Sequence, residues 1–236
     1  MGEHTQDSGG VLQSASVVFI SDNVLQAAGL EHLLTAAKDL VYARRVSSVD
    51  ALLAAGGALP RLALMSLALC DGSDPVSNVR RLREAGVRVL AYFAGADRYQ
   101  VRRAYEVAQV GVVRSWDEGP VMLEGLRQAL DDASGPLQRW TDVLGIDAAT
   151  VVSDRLTAVE REVLMVYAAV ATADYVARRL GLATNTVNKY VAKARRRYAE
   201  AGKTADSRAD LVRLAQGDGL LPLALAVRDE PGTSWL

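Results

Sequence analysis

Between Ala15 and Asp131 short apolar, β-branched runs alternate with stretches of helical periodicity. The runs Ala15–Ile20, Leu40–Val46, Leu62–Leu67, Val87–Phe93 and Val110–Val113 read as strands. Val24–Ala37, Val49–Ala55, Pro75–Ala85, Arg98–Ala108 and Pro120–Leu130 read as the helices between and after them. Five β-α units of this length predict a parallel sheet with helices on both faces. Strands that are apolar almost throughout fit that picture, because parallel strands are buried on both sides. From Asp131 the pattern changes: DDASGP mixes turn formers with charge, and beyond about Ser153 only the 3.6-residue period remains. The expected organisation is a lead-in over 1–14, an α/β domain over 15–131, a linker over 132–153, an all-α domain over 154–219 and a tail over 220–236.

The all-α segment carries the chemistry. Thr157 and Glu160 are spaced as a capping box ahead of VLMVYAAV. Thr172 is placed to cap a helix whose Val176, Ala177 and Leu180 form one apolar stripe. Gly181 can take the positive φ of a sharp turn, Leu182 plugs that turn, and Thr184 is expected to cap the next helix. In that helix Val187, Val191, Ala194 and Tyr198 line up to face inward. Asn185, Asn188, Lys189, Ala192 and Arg196 fall opposite, flanked by Lys193, Arg195 and Arg197. This is the layout of a helix-turn-helix whose second helix enters the major groove of double-stranded DNA. Asn188 and Lys189 are assigned to base edges, and Thr184, Thr186, Lys193, Arg196 and Arg197 to phosphates or edges, with Asn185 on the same surface.

Net charge sharpens this picture. The chain as a whole carries a formal −1, yet Thr172–Tyr198 holds seven Lys/Arg against one acid, so the positive charge is local. The other bulk features exclude classes. Cys70 is the single cysteine, which rules out an internal disulfide, and no apolar run approaches the ~20 residues of a membrane span. The N-terminal MGEHTQDSGG lacks the layout of a signal peptide, and a cytoplasmic location is expected. There is no P-loop, no GxGxxG, no GxSxG and no His/Cys metal spacing. His4 lies in the lead-in and His32 in a helix of apolar neighbours, so neither enzyme activity nor a cofactor is expected.

The segment from Leu156 to Tyr198 resembles the DNA-binding domain of the LuxR/FixJ/NarL family of bacterial regulators. The features that carry the resemblance are Leu156-Thr157, Glu160-Arg161-Glu162-Val163-Leu164, Val176-Ala177, Leu180-Gly181-Leu182 and Thr186-Val187. It implies four helices, the third in the major groove and the fourth often at a dimer contact. The segment after Tyr198 is longer than is usual in that family.

The β-α repeat in turn resembles the receiver domain of a two-component response regulator, which implies a five-stranded parallel sheet of flavodoxin-like order. Gly29-Leu30, RLALMSLALC and VRVLAYFAG carry this second resemblance. Receiver phosphorylation requires two acids after the first strand to hold Mg²⁺ and an Asp at the end of the third. Here Ser21-Asp22 supplies one acid, and Ser66 stands at the acceptor position. The hydroxyl residue after the fourth strand falls on Phe93 or Ala94, and the basic residue after the fifth on Arg114 or Ser115. Asp22, Asp71 and Asp74 read as helix or turn caps.

The expectation is an atypical response regulator whose degenerate pocket (Ser21, Asp22, Ser66, Arg114) is not switched by Asp phosphorylation. Its α/β domain would serve as a dimerisation platform, for a homodimer or a heterodimer with a related regulator. It could equally bind a small molecule or partner at the carboxyl ends of its strands. The competing reading is a protein-interaction regulator that needs a partner regulator or polymerase contact and binds DNA weakly alone. Trp116 and Trp140 are expected to pack between domains, and the apolar tail after Gly219 against a domain or partner.

Overall fold

A computed structural model describes residues 14–95, 97–131, 139–170 and 172–223. Residues 1–13 of the expected lead-in over 1–14 (with His4), the turn-rich 132–138 and residues 224–236 of the expected tail lie outside these residues. Contacts group the described residues of 1–94 and 110–135 into one compact unit and those of 95–109 and 136–236 into another.

The first unit is built on five parallel strands: β1 (Ala15–Ile20), β2 (Leu40–Val46), β3 (Leu62–Ser66), β4 (Arg88–Phe93) and β5 (Val112–Arg114). Their order is β2-β1-β3-β4-β5, the receiver-like arrangement. The pairing sets Ile20 beside Met65, Ser66 beside Tyr92 and Phe93 beside Arg114, which brings the carboxyl ends of β1, β3, β4 and β5 to one edge of the sheet. Alternation along the strands divides the core in two. Val17, Phe19, Leu62, Leu64, Leu90 and Val113 cluster with Leu30 and Leu34 of α1 (Val24–Thr35) and with Met122 and Leu126 of α5 (Gly119–Leu130). Val18, Ile20, Ala63, Met65 and Ala91 point the other way and are equally buried. Helix α2 (Val49–Ala54) contacts β2, and α3 (Pro75–Glu84) contacts β4. Each of these fully buried Leu, Ile or Phe side chains contributes about 1.5–3 kcal/mol relative to exposure. Helix α3 begins where Asp74 accepts from the Ser77 amide at 2.9 Å, with Pro75 in the first turn, which bears out the cap expected there.

Helix α4 (Arg98–Glu106) follows β4 in the chain but groups by its contacts with the second unit. It packs on the short α6 (Trp140–Val143) and on α10 (Arg208–Gly217). The rest of this unit is α7 (Ala158–Val170), α8 (Ala173–Leu180) and α9 (Thr184–Glu200), preceded by 3-10 turns at Ala148–Thr150 and Val152–Arg155. Val152, Val163, Leu164, Val176, Val187, Val191, Tyr198 and Leu211 form its core, joined by Leu220 and Leu221 from the start of the apolar tail. Within the expected linker, Trp140, Val143, Val151 and Val152 are buried. Among the described residues no helix is long and apolar enough to cross a membrane.

Candidate nucleic-acid interface

The surface of interest is made by α8, α9 and the turn between them. Thr172 caps α8 by accepting from the Tyr175 amide at 3.3 Å, and Val176 and Ala177 on its inner stripe are buried. Gly181 ends the helix in the left-handed region at φ 66°, and the Leu182 amide returns to the Ala177 carbonyl at 2.9 Å. That closing bond is the device that swings the chain into α9. The start of α9 departs from expectation at one residue. Ala183 is the N-cap, with no side-chain hydrogen bond, so the helix begins one residue early and Thr184 lies inside its first turn. The Thr184 hydroxyl instead donates to Asp174 of α8 at 2.7 Å, tying the two helices at their first turns.

Along α9, Val187, Val191, Ala194 and Tyr198 are buried at helical spacing. Asn185, Asn188, Lys189, Ala192 and Arg196 are all exposed, and Thr184 and Thr186 are half-buried beside them. The cations of the C-terminal half differ in what they already hold. Lys193 donates to Glu160 at 2.5 Å, and Glu160 is buried. Arg195 donates to the Asp206 carbonyl at 2.7 Å. Arg196 and Arg197 lie 3.6 and 3.8 Å from Glu200, at contacts open to solvent. Arg178 and Arg179, in the last turn of α8, add two exposed cations that the sequence pattern did not single out.

Helix α7 supports this surface from behind. The Thr157 hydroxyl accepts from the Glu160 amide at 3.3 Å, and the Glu160 carboxylate accepts from the Thr157 amide at 3.0 Å, which is the expected capping box. The same carboxylate holds Lys193, and that ion pair, opposed by burial, keeps Glu160 below its ordinary pKa. Arg208 of α10 donates to the Ala168 and Ala169 carbonyls at 3.1 Å and closes the other end of α7.

At the carboxyl edge of the first unit, Ser21 is buried and its hydroxyl accepts from the Asn23 amide at 3.1 Å. Asp22 does not cap α1 as expected; Asn23 does, because the chain leaves β1 one residue further before turning helical. The Asp22 carboxylate accepts from the Cys70 amide at 2.7 Å and so fastens the loop after β3. Ser66 ends β3, with its hydroxyl engaged by the Ala68 main chain. Arg114 forms a fork with Asp117 and lies over Trp116, whose ring meets Phe93 edge-on at 5.9 Å. Trp116 is 55% exposed, whereas Trp140 is buried under Arg102. Asp71 accepts from the amide and hydroxyl of Ser73, a turn-capping use that matches expectation. Among the described residues no three His, Cys, Asp or Glu side chains group as metal ligands.

Comparison with known proteins gives the architecture a reference. No protein-family model and no curated protein matches the chain. Solved structures do. One, of two RcsB dimers bound to two parallel DNAs, is 14% identical, covers 86% of this chain and 98% of its own, and superposes with a TM-score of 0.56. RcsB of Salmonella enterica serovar Typhimurium bound to promoter P1flhDC with phosphomimetic BeF3− is 13% identical, with coverages of 87% and 100% and a TM-score of 0.53. A Salmonella typhimurium RcsB response regulator gives 15%, 86%, 98% and 0.52. These likenesses establish the fold: a receiver-like sheet domain followed by a helical region.

Proposed function

We propose that the protein is a sequence-specific DNA-binding transcription regulator that inserts α9 into the major groove. The observation that carries this reading is the exposed face of α9. Amide and ammonium groups at Asn185, Asn188 and Lys189 stand in its N-terminal half, and cations follow toward its end. Asn pairs bidentately with adenine and Lys donates to guanine, so this half reads base edges. Arg196 and Arg197, with Arg178 and Arg179 of α8, bind phosphates and supply salt-dependent affinity. The same cations would be wasted on a purely structural helix, which needs no polar specificity on its outer face.

The protein acts as a dimer in this reading, since two recognition helices about one helical turn apart read a two-fold symmetric site. The structure of two RcsB dimers bound to two parallel DNAs supports this use of the fold. Control by acyl-phosphate formation is ruled out at position 66, because a serine hydroxyl cannot form an acyl phosphate. Asp22, the remaining acid of the pocket, is committed to the Cys70 amide. Selection of binding sites from a random duplex pool by the full chain tests the reading: enrichment of a symmetric site supports it. Salt-labile binding without any enriched sequence would overturn it in favour of a partner-dependent regulator.

A further inference from the structure

The second unit encloses a polar cluster away from the groove-facing surface, centred on Arg102 of α4. Arg102 is 2% exposed, a rare state for an arginine, and its guanidinium is almost fully engaged. One terminal nitrogen donates to the Ser153 hydroxyl at 2.7 Å and to the Asp218 carbonyl at 2.8 Å. The other donates to Asp154 at 2.6 Å, Glu106 lies 3.1 Å from Nε, and the plane lies 5.2 Å over the Trp140 ring. These acceptors are reached from two separate nitrogens of one plane, which the single nitrogen of an ammonium group does not span.

The partners of Arg102 hold something in turn. Asp218, just past α10, is also 2% exposed. Its carboxylate accepts from the Ser153 amide at 2.8 Å and from the Tyr198 hydroxyl at 3.1 Å, with Lys203 at 3.6 Å. Arg102 thus holds both Ser153 and Asp218, and these two also hold each other. Tyr198 is the last inward residue of α9 and is fully buried. Burial, reinforced by the negative Asp218, pushes its phenol pKa upward, so the hydroxyl stays a donor. From Tyr198 the helix runs without a break to Asn188, ten residues and about 15 Å along a rigid rod. A displacement at one end is therefore delivered to the other.

We infer that Arg102 is a positioning residue for DNA recognition, acting through Ser153, Asp218 and Tyr198 to fix the placement of α9. The inference rests on the DNA-binding reading above. It makes α4, which the chain order allots to the sheet domain, a working part of the recognition unit. Arg98 and Gly219 fit this role. Arg98 donates to the Gly217 carbonyl at 2.8 Å, and a Cβ on Gly219 would meet the Arg98 carbonyl at 3.2 Å.

The test uses the full chain carrying Arg102→Gln, Arg102→Lys, Tyr198→Phe, or Arg102→Gln with Tyr198→Phe. Affinity for the site selected by the native chain is measured beside affinity for unrelated duplex. A partly unfolded variant loses both in the same proportion, whereas a misplaced helix loses the selected site alone. The expected result is a fall of about tenfold in the ratio of the two for Arg102→Gln, with Arg102→Lys failing to restore it. Tyr198→Phe lowers the ratio as well, and the double variant goes no lower than its worse parent, as expected of one connected path. An unchanged ratio, an equal loss of both affinities, or additive effects would overturn the inference.

Amide hydrogen exchange on the same proteins keeps this test separate from the DNA-binding reading. Exchange should quicken over residues 194–203 and 215–220 in Arg102→Gln and Tyr198→Phe while residues 15–20 and 62–66 stay protected. If the native chain selects no site, the functional reading fails and this pattern alone decides: unchanged protection over 194–203 overturns the positioning role.

Discussion

Lys193 of α9 and Glu160 of α7 form an ion pair at 2.5 Å in which the carboxylate is buried and the ammonium is 37% exposed. Glu160 thereby serves three ends: it closes the capping box of α7, neutralises a cation of α9 and ties the two helices together.

The pair predicts a pH signature. Glu160 is held below its ordinary value of 4.5, chiefly by the hydrogen bond from Lys193, so its stabilising contribution is complete above that value. It is lost as pH falls through the lowered pKa of the folded state. Glu160→Gln should cost about 1–2 kcal/mol at pH 7, measured by urea unfolding, and the gap from the native chain should narrow below pH 4.5. A gap that stays constant down to acid pH would remove the ion pair from the account.

Two glycines separate backbone strain from steric contact. Both Gly181 and Gly219 have positive φ, at 66° and 69°. A Cβ on Gly181 meets nothing within 4 Å, so Gly181→Ala should cost about 1–2 kcal/mol, the left-handed penalty alone. Gly219→Ala adds the approach to Arg98 and should cost about 3 kcal/mol, because the obstacle is backbone and cannot swing aside. Equal losses in urea unfolding would mean that α4 does not press on this turn.

Phosphorylation chemistry gives a third expectation. Incubation with a small phosphodonor and Mg²⁺ followed by intact-mass analysis should give no stoichiometric adduct, since Ser66 cannot form an acyl phosphate. A stoichiometric phosphate released by hydroxylamine, which cleaves acyl phosphates, would contradict this and direct attention to Asp22, Asp71 or Asp74.

The cations of α9 should also divide by what they hold. Arg196→Ala, at a 68% exposed side chain, should weaken binding to all duplexes alike and reduce the salt slope by about 1. Lys193→Ala should act mainly on stability, because its loss leaves the buried Glu160 carboxylate without its cation. A salt slope that changes with Lys193 and not with Arg196 would reverse their assignments.

Much of this was legible in the sequence. Strand apolarity and the Gly and Pro punctuation placed the five strands and their helices to within a few residues, because period and turn chemistry are local properties. The inward face of α9 and the caps at Thr157 and Thr172 were legible for the same reason. Thr184 reads as a cap in the sequence, but the Gly181 turn is tight enough to place the N-cap of α9 at Ala183, a detail of φ and ψ that composition does not carry. Lys193 looked like one of a row of free cations, since its partner lies 33 residues away. The Arg102 cluster left no trace at all. Its members are separated by 51 and 116 residues, and an arginine within a basic amphipathic helix reads as solvated until the fold buries it.

The central claim is that the N-terminal half of α9 reads DNA sequence, and one measurement addresses it directly. Duplex selection across a salt series is run with the native chain beside the Asn188→Ala, Lys189→Ala double variant. The account predicts a two-fold symmetric site enriched by the native chain and lost by the variant, while weak salt-dependent binding through the remaining cations persists in both. Enrichment of the same site by both proteins would contradict it and move sequence readout away from α9.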